Sequence, residues 1–282
     1  IHAGDYLLEA GTTHRQLLEK FTSGEVRLYS FTIVEGWNQW DLLRALAADP
    51  QLDSGLREAD WTGFLEEIGA LADHPEGLFL PETYHFPRGT TDRDLLRQAH
   101  GLMRKVLAEE WTDRSPAAPV ASPYEALILA SIVEKETARA DERARIAGVF
   151  ARRLEKGMRL QTDPTVIYGI GPAFDGNLRR RDLQTDTPYN TYTRRGLPPT
   201  PIALPGRAAI HAALHPQDGD ELFFVATGVG DGSHTFSATK AEHDAAVAEY
   251  LKRLRERRRA GQSIEPRQGH HGGRDRGRRQ DD

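Results

Sequence analysis

The fold of this chain depends most on residues 122–136, which read Ser122-Pro-Tyr-Glu125-Ala-Leu-Ile-Leu-Ala-Ser-Ile-Val-Glu134-Lys-Glu136. A serine N-cap, a proline at the first helical position and a glutamate at the third predict a helix that starts at residue 123. Its apolar run from 126 to 133 predicts a buried helix. Glu134 interrupts that run, so its carboxyl group should lose hydration and have a raised pKa, as a general acid requires near neutral pH.

The same helix carries a second glutamate, and its geometry separates the two. Successive residues are rotated by about 100° around a helix axis, so Glu136 points about 200° away from Glu134. The two carboxylates cannot share a site through helix geometry alone. The sequence therefore predicts a site built around one carboxylate of this helix.

Two later segments combine amide, carboxylate and phenol groups: Gln161-Thr-Asp163-Pro-Thr-Val-Ile-Tyr and Tyr189-Asn190-Thr-Tyr. Sugar-binding sites use such mixtures, because hydroxyl groups need oriented hydrogen-bond partners and pyranose C–H faces pack on aromatic rings. We predict that Gln161, Asp163, Tyr189 and Asn190 contact the substrate or the Glu134 carboxyl. The alternative is a buried polar network that only shapes these loops.

The first 48 residues contain a short repeat with an offset of 25 residues, in which Gly11 and Gly36 each precede a capped amphipathic helix. Thr13 and Asn38 are the predicted N-caps. Extended segments over residues 5–10 and 26–34 precede the two helices. This β-α-β-α order resembles a LysM-like module, the small fold with which cell-wall proteins bind N-acetylated sugars. A plain packing domain is the alternative.

The rest of the chain completes an α+β prediction. Its elements are a helical stripe over 61–71, an extended loop over 77–87, helices over 92–110, 141–154 and 239–258, and a hairpin of 221–226 with 233–237. We predict four parts: a LysM-like module (1–48), connecting helices and a loop (49–121), a catalytic domain (122–258) and a disordered basic tail (259–282).

Composition limits the classes of partner. A formal net charge of −5 argues against a nucleic-acid partner, since phosphate binding relies on clustered Lys and Arg. The chain has no cysteine, so no disulfide framework is expected. No run approaches the roughly 20 apolar residues of a membrane span. Because the chain begins with Ile1 rather than Met, we expect it to be a fragment or a processed form that lacks an N-terminal anchor.

Several motifs in order resemble the endolytic murein transglycosylase family, also called YceG-like. They are Ser131-Ile-Val-Glu134-Lys-Glu-Thr, Gly157-Met-Arg-Leu-Gln-Thr-Asp-Pro-Thr-Val-Ile-Tyr168-Gly, Tyr189-Asn-Thr-Tyr192, Gly196-Leu-Pro-Pro199, His215-Pro216 and Phe223-Phe-Val225. The resemblance implies a single-pass inner-membrane protein with its catalytic domain on the periplasmic side. It further implies contact with peptidoglycan synthases, no cofactor or metal, and Glu134 as the catalytic residue.

Such an enzyme cleaves the β-1,4 bond between N-acetylmuramic acid and N-acetylglucosamine without water, and one carboxyl acts first as acid and then as base. A glycoside hydrolase is the main alternative, and it needs two carboxyls about 5 to 9.5 Å apart, for which Glu82 or Asp163 is the candidate partner. Glu82 is also a predicted substrate contact. A peptidoglycan-binding protein without catalysis is a further alternative. A metal hydrolase built on His211 and His215 lacks an obvious third ligand.

Overall fold

The computed structural model describes residues 5–24 and 26–259, which form ten α-helices and four strands. The helices are α1 His14–Ser23, α2 Gln39–Ala48, α3 Trp61–Glu67, α4 Asp92–Thr112, α5 Pro123–Glu136, α6 Arg143–Glu155, α7 Asp163–Ile170, α8 Arg180–Gln184, α9 Arg207–Leu214 and α10 Lys240–Arg259. The strands are β1 Leu28–Thr32, β2 Thr83–Pro87, β3 Phe223–Ala226 and β4 His234–Ser237. Short 3-10 turns precede α3 and follow α7. The α+β class predicted from the sequence is therefore confirmed.

Helix α5 lies at the centre of the protein and packs against α4, α6, α7 and α9. All eight of its residues from 126 to 133 are buried. The predicted start is confirmed, because the Ser122 hydroxyl accepts a hydrogen bond from the Glu125 N–H at 3.2 Å. The Glu125 carboxylate accepts from the Ala121 N–H rather than from the N-cap itself. Local capping thus sets the register that orients Glu134.

The N-terminal part differs from the prediction. Helices α1 and α2 form with Thr13 and Asn38 as N-caps, as expected. Residues 5–10, all of them described, form an irregular segment in place of the predicted strand. The order from residue 5 to 48 is therefore α1-β1-α2, so the predicted β-α-β-α order is wrong and the LysM-like module is not confirmed.

The partner of β1 explains this difference. β1 pairs in antiparallel register with β2, from Leu28 opposite Pro87 to Thr32 opposite Thr83, although the sequence had indicated a loop over 77–87. β2 alternates exposed and buried side chains and places Tyr84 and Phe86 in the core, which is the pattern that stabilises a half-buried strand. In segment 5–10, by contrast, Leu7 and Leu8 are exposed, and none of its side chains is buried in the core. The β1–β2 pair joins residues on both sides of residue 48, the predicted end of the first part of the chain. The four-part division itself stays a prediction.

The C-terminal hairpin and last helix are confirmed. β3 and β4 pair in antiparallel register, and α10 packs against both strands. Thr239 and Glu242 cap α10 reciprocally, since the Glu242 carboxylate accepts from the Thr239 N–H and the Thr239 hydroxyl accepts from the Glu242 N–H. α10 continues through Arg259, the first residue of the predicted tail. Residues 260–282 of that tail lie outside the described residues.

None of the helices formed by residues 5–24 and 26–259 combines the length and the hydropathy that a membrane span requires.

Candidate active site

Glu134 lies in the last turn of α5, where the helix meets the loop before α9. Its side chain is only 6% exposed. One carboxylate oxygen, Oε2, accepts a hydrogen bond from the Gly206 N–H at 3.0 Å, and Oε1 lies 3.8 Å from Nη2 of Arg143. Gly206 is the N-cap of α9, so the positive end of that helix also faces the carboxyl.

The environment of Glu134 suits a proton donor. Burial raises the pKa of this carboxyl, and the neighbouring Glu35 carboxylate adds to the increase, whereas the Gly206 N–H, Arg143 and Lys135 act in the opposite direction. Burial has the largest effect because it removes the water that stabilises the charged form. A raised pKa increases the protonated fraction of this carboxyl at a given pH, and the Gly206 N–H and Arg143 stabilise the anion that remains after the proton leaves.

Glu136 lies on the opposite side of α5 and takes part in a different set of contacts. Its carboxylate accepts a hydrogen bond from the hydroxyl of Thr162, at the start of α7. This arrangement confirms the separation of the two glutamates that the helix geometry predicted. Glu136 thus holds the loop before α7, and Glu134 faces α9.

Three neighbours of Glu134 were missed in the sequence: Glu35, Arg143 and Gly206. Nη2 of Arg143 lies 3.8 Å from Oε2 of Glu35 as well as 3.8 Å from Oε1 of Glu134, so one guanidinium faces both carboxylates. Glu35 belongs to the loop between β1 and α2, about 100 residues earlier in the chain than Glu134. No local sequence pattern could have indicated that Glu35 lies near Glu134, because a Glu-Gly pair at this place is typical of a turn before a helix.

The loop that carries Glu35 is held against the loop before α9 by backbone hydrogen bonds. The Gly36 N–H donates to the Leu204 carbonyl at 2.9 Å, and the Leu204 N–H donates to the Trp37 carbonyl at 2.6 Å. The buried Lys135 ammonium donates to the Gly36 carbonyl at 3.0 Å. These bonds join the N-terminal part of the chain to helix α5 beside Glu134.

The two predicted substrate-binding segments lie together in the structure. The Gln161 N–H donates to the Thr191 carbonyl at 3.2 Å, and the Asp163 carboxylate accepts from the Tyr192 hydroxyl at 2.5 Å. Gln161 has an exposed side chain and a φ of +52°, a conformation that is uncommon for a residue other than glycine. Strained positions of this kind cluster at functional sites. A substrate contact by Gln161 or Asp163 stays a prediction.

Tyr189 and Asn190 have different surroundings. The Tyr189 ring is half-buried against Tyr168, with ring centroids 5.0 Å apart, and its hydroxyl bonds to the Thr200 hydroxyl at 2.9 Å. Asn190 is 1% exposed. Its amide nitrogen faces three backbone carbonyls, those of Asp182, Leu183 and Thr185, and its oxygen accepts from the Tyr192 N–H. These contacts fit the alternative considered from the sequence, a buried polar network that shapes the loop, while a substrate contact by Tyr189 or Asn190 stays a prediction.

Asn190→Ala distinguishes these two roles. We expect a loss of about 2 to 4 kcal/mol in the free energy of unfolding, because several buried backbone groups lose their partner. Urea denaturation measures it, with the exposed Asn177→Ala as the matched control. Unchanged stability together with a raised KM for glycan would instead identify Asn190 as a substrate contact.

Glu82 is exposed at the start of β2 and lines an open groove. The groove is formed by Thr32, Ile33, Val34, Glu35, Pro81, Glu82 and Thr83. The Glu82 carbonyl accepts from the Ile33 N–H at 3.0 Å, which fixes the floor of the groove. Glu82 and Glu35 thus share a surface through which an extended polymer can approach, and a substrate contact by Glu82 stays a prediction.

The structure also provides the third group that a metal site on His211 and His215 seemed to lack. Glu110 of α4 lies beside them, and the donor atoms of all three are within 4.8 Å of one another. The Glu110 carboxylate is already bonded, however, to the Arg207 guanidinium at 2.9 Å and to the His211 ring at 2.8 Å. Because the Arg207 cation already neutralises the carboxylate, these contacts describe an ion-pair cluster that joins α4 to α9.

Comparison with known proteins agrees with this geometry. A sequence model of the YceG-like family matches residues 1–249. The chain belongs to the YceG-like family. The match includes α5, α9 and the β1–α2 loop, and hence every residue placed around Glu134.

Similar members of the YceG-like family include proteins of named activity. The chain is 32% identical over 272 residues to an "Endolytic murein transglycosylase" of Bacillus subtilis, with 90% of this chain and 74% of the relative covered. It is 34% identical over 287 residues to a protein of the same name from Streptococcus pneumoniae, with 89% and 51% covered, so it spans about half of that relative. A crystal structure of a yceG-like protein from Listeria monocytogenes has a TM-score of 0.63 at 30% identity, covering 82% of this chain and 80% of that one.

Proposed function

We propose that this YceG-like protein is an endolytic lytic transglycosylase of peptidoglycan. It cleaves the β-1,4 bond between N-acetylmuramic acid and N-acetylglucosamine within nascent strands and leaves 1,6-anhydro ends, which terminates strand elongation. The observation that carries the proposal is Glu134, a buried carboxyl with a raised pKa that shares Arg143 with Glu35 of the groove, in a chain whose relatives are named endolytic murein transglycosylases.

Glu134 can supply the proton that the first step consumes and accept the proton that the second step releases. Glu134 donates its proton to the glycosidic oxygen as the bond from the muramyl C1 breaks, and the N-acetylglucosamine end leaves with a free hydroxyl. The Glu134 carboxylate then takes the proton from the muramyl C6 hydroxyl while that oxygen bonds to C1. Arg143 and the Gly206 N–H stabilise the carboxylate between the two steps, as oriented charges and dipoles do. Glu134 ends each turnover protonated, so no cofactor or metal is needed.

The products test this proposal. We expect digestion of uncrosslinked glycan strands to release fragments whose muramyl ends are one water lighter than hydrolysed ends, as measured by mass spectrometry. Because Glu35 provides a second carboxylate near Glu134, a two-carboxylate hydrolase is the competing function. Reducing muramyl ends alone would support the hydrolase and overturn the transglycosylase.

The cellular setting follows from the substrate. Peptidoglycan lies outside the cytoplasmic membrane, so the catalytic region works on the extracytoplasmic side. A single-pass anchor in the inner membrane and contact with peptidoglycan synthases complete the proposal. Both rest on the family resemblance, and co-purification of the full-length protein with a synthase from detergent-solubilised membranes tests the contact.

A further inference from the structure

The space beside Glu134 is arranged to hold a second carboxylate. Gly206 has a φ of −75° and a ψ of 166°, which any residue can adopt, so its backbone conformation does not require glycine. A Cβ atom at this position would, however, lie 1.9 Å from Oε1 of Glu35, so any other residue would displace the Glu35 carboxylate from its present position. The glycine therefore leaves room for the Glu35 carboxylate directly beside the N–H group that bonds to Glu134.

The two carboxylates differ in exposure but share one cation. The Glu35 side chain is 49% exposed at the wall of the groove, whereas that of Glu134 is 6% exposed behind it. Arg143 is 14% exposed and lies at the same distance from both. The guanidinium is thus shared between an exposed carboxylate and a buried one.

We propose that Glu35 is a positioning residue for the reaction: it holds part of the Arg143 charge and so prevents this cation from pairing with Glu134 alone. This inference rests on the proposed function. The charged groups that face Glu134 are Glu35 from the β1–α2 loop, Arg143 from α6 and Lys135 from α5, together with the Gly206 N–H at the start of α9. Glu35 is the member of this set whose charge favours the protonated acid.

Glu35→Gln tests the inference, because it removes the charge and keeps the size of the side chain. Arg143 then pairs with Glu134, which loses its proton at lower pH. We expect kcat near neutral pH to fall about tenfold. The alkaline limb of the kcat profile should move to lower pH, because the acid form disappears earlier. KM should stay within about twofold, since Glu35 acts through Arg143 rather than through the sugar.

Four further variants sharpen the result. Glu35→Asp keeps the charge, so the alkaline limb of its kcat profile should lie between those of Glu35→Gln and wild type. Gly206→Ala should displace the Glu35 carboxylate and reproduce the Glu35→Gln profile, and the double variant should be no worse than either single variant, since both remove one interaction. Glu19→Gln removes an equal charge from the exposed surface of α1, where the ion-pair partner of Glu19 is Arg15 of the same helix, and serves as the control.

An unchanged alkaline limb in Glu35→Gln would overturn the proposed role, and so would an effect confined to KM. Failure of the role inferred for Glu35 is distinguishable from failure of the proposed function. The function is judged by the ends of the wild-type products, whereas the role of Glu35 is judged by the pH profile of the variant relative to wild type.

Discussion

Glu134→Gln is expected to lower the rate of glycan cleavage by about 10³-fold or more, because the same carboxyl supplies a proton in the first step and accepts one in the second. The amide oxygen can still accept the hydrogen bond from the Gly206 N–H, so folding and substrate binding should persist. Release of soluble glycan fragments measures the rate, and thermal unfolding together with glycan sedimentation measures the other two properties.

Glu125→Gln is the matched control, because it makes the same change in the first turn of the same helix. It should retain activity within about twofold of wild type, since a surface substitution of this kind changes stability little. If Glu134→Gln kept activity within tenfold of wild type, the general acid would be another group, and Glu35 would be the first to test.

Glu76→Gln should change the pH dependence of the free energy of unfolding between about pH 5 and 8.5, by removing the contribution of one buried carboxyl. Glu76 is completely buried on the loop between α3 and β2, and its carboxylate accepts from the Gln39 N–H at 3.0 Å. Burial raises its pKa from the ordinary 4.5 to about 8; Gln39, Tyr168 and Lys135 oppose this shift, and Asp41 adds to it.

The sign of this effect follows from proton binding. Between pH 4.5 and about 8 the folded state holds a proton on Glu76 that the unfolded state has released. The stabilisation from this group is therefore complete below pH 4.5 and is lost as pH rises to about 8. At pH 8.5 the Gln variant, which never ionises, should be about 2 to 4 kcal/mol more stable relative to wild type than at pH 5.

Urea denaturation of both proteins at the two pH values measures the difference. Glu66→Gln, an exposed change on the neighbouring helix α3, is the control and should keep the wild-type dependence. Equal slopes of unfolding free energy against pH in wild type and Glu76→Gln would show that the Glu76 carboxyl is ionised in the folded protein.

The parts of the fold that were predictable depend on local chemistry. The start of α5 follows from Ser122, Pro123 and the apolar run behind them, and the caps of α1 and α2 follow from Thr13 and Asn38. The predicted strand over residues 5–10 was wrong because a strand also needs a partner edge. β1 finds that edge in β2, about 50 residues later, and no local pattern identifies it.

The candidate active site likewise combines features that local sequence predicts with features that depend on distant parts of the chain. The sequence by itself determined that Glu134 ends a buried helical run and that Glu136 faces elsewhere, since both follow from helix periodicity and hydration. Only the tertiary structure decided what surrounds the Glu134 carboxyl. Glu35, Arg143 and Gly206 come from three separate segments, and backbone bonds between the loops over 36–37 and 204 bring them together. A pKa depends on charges within a few ångströms in space, whatever their separation along the chain.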